Sequence, residues 1–273
     1  MTGNDEMRPL TERDYAAVEQ AFDDAVANPQ TRRVLLGRAG KALAVIGGGA
    51  VLASHAVPAA AAGSGTSAEQ SDSVQSIKAT LASFEVFGVT FITEAVRRAP
   101  GTPSAQFLPV LKSANTAEYD HFVALRKIGA EPIATRIWLP EYLFGDGGIG
   151  LFQSIENDED IEISAYLVGV TSFARARDTF GARLCAEALG TESEHRVLAR
   201  DAQATLGGRI LGAPNNRGFE AFLYQTGGEA LRALEALGVG FGERGSRPGK
   251  FYDFPGDPRD NGTGFPLGYN SPS

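Results

Sequence analysis

From about Ser73 onward the apolar positions recur with a helical period, and four long amphipathic segments stand out. The first spans about Ser73 to Ala99, with Ile77, Leu81, Phe84, Gly88, Phe91 and Ala95 on one face and Pro100-Gly101 as its stop. The second covers about Pro109 to Ile128 and aligns Leu111, Ala114, Glu118, His121, Leu125 and Ile128 before the capping Gly129. A third, about Leu151 to Ala176, lines up Phe152, Ile155 or Glu156, Glu159, Ile163, Tyr166 and Val170. The fourth, about Thr179 to Leu206, aligns Leu184, Cys185, Ala188, Glu192, His195 and Leu198 or Ala199, and Gly207-Gly208 ends it. No strand alternation competes with these patterns.

Short links predict that helices one and two, and three and four, form antiparallel hairpins. Residues 130–150 contain Pro132, Pro140 and Gly145-Asp146-Gly147-Gly148 and cannot be one helix. A helix of about 24 residues is roughly 36 Å long, and some twenty extended residues reach ~66 Å, so this link can return along the whole set of helices. The predicted fold is therefore all-α: a four-helix bundle over residues 72–208 with a long crossover between helices two and three. Residues 209–273 read as a C-terminal extension with one amphipathic helix, about Phe219 to Leu237, and an irregular stretch from 240 on. Asp253, Asp257 and Asp260 lack the glycine and glutamate spacing of a calcium loop and read as a solvated tail.

Residues 1–62 read as a leader. Arg32-Arg33 stands before a weakly apolar run, Ala42 to Ala56, and Pro58-Ala59-Ala60-Ala61-Ala62 offers a small-residue cleavage site. This predicts export by the twin-arginine route to the periplasm, cell envelope or exterior, with no stable membrane span in the mature chain, since the apolar run is short. The net charge of −8 and pI near 5.0 argue against nucleic acid or an anionic membrane as partner. The single Cys185 rules out an internal disulfide and reads as a small core residue.

With His55 in the leader, two histidines remain, and each lies three residues after a glutamate: Glu118-Tyr119-Asp120-His121 and Glu192-Ser193-Glu194-His195. That spacing puts carboxylate and imidazole on one helix face about a turn apart, where they can grip neighbouring metal ions. With Glu at roughly one residue in fifteen, both pairs arising by chance is on the order of one in two hundred. A complete two-metal carboxylate site needs one further glutamate from each remaining helix. Glu85 borders the inward stripe of the first helix, closer than Glu94; Glu159 fits either register of the third, with Glu162 its first reserve and Glu156 fitting one register only. Two divalent cations would cancel four carboxylates, and an oxygen-rich set with two imidazoles suits iron or manganese. Tyr166, two turns from Glu159, is an additional candidate to donate a hydrogen bond or an electron near the site, although it reads first as core; Asp160 is a candidate to orient a ligating histidine, although it reads first as a solvated helix position.

With Leu81-Ala82-Ser83-Phe84-Glu85, the two Glu-x-x-His segments and Glu159 through Leu167, the chain resembles the ferritin-like superfamily, specifically the bacterial exported ferritin-like proteins related to desiccation-associated proteins. The resemblance covers about residues 74–208. It implies the ligands Glu85, Glu118, His121, Glu159, Glu192 and His195 around two ions, iron or manganese, that react with dioxygen or peroxide. It also implies metal oxidation, peroxidase or catalase-like chemistry, or oxidative and desiccation stress protection. Glu162 stands where relatives tend to have a small residue. The rival expectation is a non-catalytic stress or envelope protein that acts through its surface. The leader and tail speak against a closed storage shell; a homodimer is compatible with the pattern.

Overall fold

A computed structural model describes residues 72–265 and residue 267. The twin-arginine reading and His55 lie outside the described residues.

Four long helices form the core: α1 (Val74–Arg98), α2 (Leu108–Lys127), α3 (Ile149–Arg175) and α4 (Thr179–Thr205). Helix α1 starts at Ser73, whose hydroxyl accepts from the Ser76 N–H, and stops before Pro100, where a proline would break the hydrogen-bond ladder. Asp178 caps α4 in the same way, accepting from Gly181 N–H at 2.9 Å. Among the described residues, α1 alone is long and apolar enough to cross a membrane, and 89% of its apolar window is buried inside the protein. It is the central core helix here.

Paired contacts fix the topology. Lys78 reaches Ile128 and Thr93 reaches Asn115, so α1 and α2 are antiparallel. Glu156 meets Arg200 while Gly169 abuts Cys185, which makes α3 and α4 antiparallel as well. Gly169 abuts Leu81 and Tyr166 meets Glu85 across α1 and α3; Glu118 meets His195 and His121 meets Glu192 across α2 and α4. The ring closes in the order α1, α2, α4, α3, with α2 and α3 on a diagonal and parallel. The link between them must therefore return along the full helix length. At Gly169 a Cβ would come within 2.8 Å of Cys185 Sγ and 3.1 Å of Leu81, so three helices close on a residue without a side chain.

Two expectations are corrected. The protein is not all-α: β1 (Arg136–Pro140), inside the crossover, is the middle strand of an antiparallel sheet with β2 (Gly240–Phe241) and β3 (Gly249–Asp253). Ile137 pairs with Phe241 and Tyr252. Residues 137–140 are all buried, so β1 carries no polar–apolar alternation, and its partners lie about a hundred residues further on. The tail helix α5 (Gly227–Ala236) is also shorter than the amphipathic pattern implied. The backbone N–H groups of Leu223 and Tyr224 donate to Ser164 Oγ on α3 instead of entering a helix, and Thr226 caps the helix that follows by accepting from Glu229 N–H. Helix α5 buries Ala230 and Leu234 against α1 and α3.

Candidate metal centre

The inward positions of all four long helices carry acid at one level. Glu85 and Glu192 are fully buried, Glu118 and Glu159 are 1% exposed, and His195 is 7% exposed. The side chain of His121 is 14% exposed. These residues form two overlapping groups: Glu85, Glu118, His121 and Glu192, and Glu118, Glu159, Glu192 and His195, with the donor atoms of each group within 4.8 Å of one another. Glu118 and Glu192, the glutamates of the two Glu-x-x-His segments, belong to both.

Contacts within the cluster are close. His121 Nδ1 lies 2.7 Å from Glu192 Oε1 and 3.8 Å from Glu85 Oε2. His195 Nδ1 lies 2.9 Å from Glu192 Oε2, 3.1 Å from Glu118 Oε1 and 3.6 Å from Glu159 Oε1. Neither histidine Nδ1 is aligned to donate, and Glu85 Oε2, Glu118 Oε2, Glu159 Oε2 and both Glu192 oxygens are buried without a hydrogen-bond partner. Unsatisfied buried polar atoms are costly, and this many facing one another is a pattern that a cation would satisfy. Donors that share an ion at about 2.1 Å stand about 3 Å apart at right angles, which matches the short contacts. The residues fit a metal ion.

Electrostatics point the same way. Burial, with the Glu118 and Glu192 charges adding to it, pushes the Glu85 and Glu159 carboxyls well above the usual range. Burial would also raise Glu192, but the imidazoles of His121 and His195 outweigh it and hold this carboxyl at about 2. Burial would lower His195, yet the adjoining Glu118 and Glu192 carboxylates raise it to about 10. Protons on the histidines and glutamates thus offset part of the negative charge of the cluster.

Residues around the cluster show how it is held. Tyr166 is fully buried, and its hydroxyl donates to Glu85 Oε1, so the core position and the polar contact coexist. Glu162 is fully buried with both oxygens unpartnered and lies outside the two groups, so of the α3 candidates Glu159 is the one within donor distance of the others. Asp158, which the sequence reading missed, is 4% exposed with Oδ1 unpartnered. It lies one turn before Glu162 on the same face, and that spacing was its only signal. Glu94 is paired with Arg97 instead. The reading of Asp160 as a solvated position is corrected: it accepts from Arg217 at 2.7 Å.

Gly88 was read as an ordinary core position and does something more specific. A Cβ there would stand 2.9 Å from Glu118 Oε2, so the missing side chain is what leaves room for the shared carboxylate. Gly88→Ala is expected to weaken metal binding on the order of tenfold, with helix content retained. Titration with Mn(II) beside far-ultraviolet circular dichroism checks this; unchanged affinity would show that Glu118 has room to shift.

The comparisons with known proteins return no match to this chain from any family model, any curated protein or any solved structure.

Proposed function

We propose that the protein is an exported ferritin-like protein with a dinuclear iron or manganese centre that reacts with dioxygen or peroxide. The observation that carries this reading is the pair of overlapping ligand groups with Glu118 and Glu192 common to both. Glu118 and Glu192 would bridge two ions, Glu85 and His121 would complete one, and Glu159 and His195 the other. Four carboxylates balance two divalent cations, and one nitrogen per ion among oxygens suits iron or manganese. Bound there, such ions supply Lewis-acid and one-electron redox chemistry toward a small oxidant.

The chain's own residues shape that chemistry. The Tyr166 hydroxyl holds Glu85 Oε1 and leaves Oε2 for the cluster. Glu85, Glu118, Glu159 and Glu192 are at most 1% exposed, so bulk water does not reach the carboxylates. The two histidines are the most exposed of the six candidate ligands, which supports approach of a small oxidant from the α2–α4 side. The diagonal pairing of α2 and α3 supports the ferritin-like reading, and Arg32-Arg33 supports export with the metal already loaded.

A second reading, a surface-acting envelope protein, draws on the tail, where Leu211 is 66% and Phe219 89% exposed. One experiment separates the two. Protein purified from its native export route should contain about two iron or manganese ions per chain and consume dioxygen or peroxide. Metal-free protein with no turnover after loading would favour the surface role.

A further inference from the structure

The residues that directly follow three of the candidate ligands share a single set of partners. Asp160 follows Glu159, Ser193 follows Glu192 and Arg196 follows His195. On a helix the next residue points about 100° away, so these side chains lie to one flank of the ligands on α3 and α4. There they meet the chain just after α4. Arg217 donates to Asp160 Oδ2 at 2.7 Å and to Glu220 Oε2 at 3.1 Å. Ser193 donates to Glu220 Oε1 at 2.7 Å, and Arg196 donates to Asn216 at 3.2 Å and to Glu220 at 3.4 Å. Arg196 is 2% exposed, and Asp160, Arg217 and Glu220 of the same network are partly buried, so this network is sheltered rather than a loose surface contact.

The docking continues on both sides. Arg200 donates to the Leu211 and Pro214 carbonyls and to Glu156, while Leu223 and Tyr224 donate to Ser164. The segment therefore ties α3 to α4 at the level of Glu159 and His195. On the opposite side, Arg259 donates to Asp120, the residue before His121, at 2.8 Å.

We propose that residues 214–220 are a positioning element of the metal centre, with Arg217 and Glu220 setting the distance between Glu159 on α3 and His195 on α4, so that one metal position depends on the tail. The inference rests on the two-metal reading above. Neither residue touches a ligand; each acts through Asp160, Ser193 and Arg196. Two ligands on different helices must approach one ion together, so a small change in helix spacing costs affinity at that ion first. The ion held by Glu85 and His121 draws its unshared ligands from α1 and α2, whereas the hydrogen bonds of this segment among the described residues run to α3 and α4.

The test titrates Mn(II) into the full chain after stripping with chelator, and follows stoichiometry and the electron paramagnetic resonance signal. Wild type should take up two ions with an exchange-coupled signal. Arg217→Ala should weaken one position on the order of tenfold or more, giving a single-ion signal at limiting Mn(II), and Arg217→Lys should restore part of the loss through its contact to Asp160. In the double variant Arg217→Ala with His195→Ala no further weakening should appear, whereas with His121→Ala the one ion that remains should bind about tenfold more weakly than in His121→Ala alone. Glu220→Gln, which keeps the shape of the segment, carries the test if Arg217→Ala does not fold. Equal weakening of both positions, or two ions bound as in wild type, would overturn the proposal alone. A wild-type protein that binds no Mn(II) and no Fe(II) would overturn the metal reading together with it.

Discussion

His195→Ala is expected to lower the metal content of the purified protein from two ions per chain to about one, and His121→Ala to do the same at the other position. Each substitution removes the nitrogen ligand of one group and leaves Glu118 and Glu192 to the other. The two variants should differ in the metal-free state. His195 lies against Glu118, Glu159 and Glu192 at 7% exposure, and removing the charged partner of buried carboxylates typically costs about 3–5 kcal/mol. His121 is more exposed and makes its close carboxylate contacts with Glu85 and Glu192, so its loss should cost less. Elemental analysis and thermal melts in chelator check both statements. If both variants match wild type in metal content and melting temperature, the six residues are a structural cluster and the surface-acting reading gains.

The second large effect is on pH dependence. In the metal-free protein Glu85 and Glu159 are raised by burial, so the folded state keeps protons that the unfolded chain has already released above its ordinary carboxyl value. His195, raised to about 10, contributes stability that is complete below the ordinary imidazole value and lost as the pH climbs through 10. Both shifts have one sign: folded protein binds more protons than unfolded, and stability falls as pH rises. Glu192, held at about 2, has the opposite sign and contributes above its ordinary value, with loss on acidification toward 2. The metal-free protein should therefore be most stable in mild acid and melt progressively lower from about pH 6 to 9. Added Mn(II) should reverse the trend, because cation binding displaces those protons and tightens with pH. At a hundredfold excess over Kd the gain is about 2.7 kcal/mol. A metal-free protein whose melting temperature climbs from pH 6 to 9 would refute the assignment of protons to this cluster.

Helix number and helix ends were legible because they are local. A 3.6-residue period, Gly129 as a C-terminal cap and Pro100-Gly101 as a stop need no distant partner to act. The Glu-x-x-His spacing was legible for the same reason: i and i+3 share a face in any helix. That the two glutamates would each belong to both ligand groups was not, since it depends on the antiparallel approach of α2 and α4. The choice between Glu159 and Glu162 likewise waited for the rotation of α3 about its axis.

What the sequence alone determined is the helical content, the four long segments and the placing of each histidine on one helix face with a glutamate, all properties of a single turn or a single face. Only the tertiary structure decided the rest. Strand β1 exists because segments about a hundred residues away supply its hydrogen bonds, and it is buried at every position from 137 to 140, so no alternation marks it. Gly88 matters because Glu118 from another helix fills the space its side chain would occupy. Asp160 and Arg196 look like solvated helix positions until Arg217 and Glu220 fold back to meet them. In each case the decisive interaction joins residues that are distant in the chain, and a local pattern carries no record of a partner that arrives only on folding.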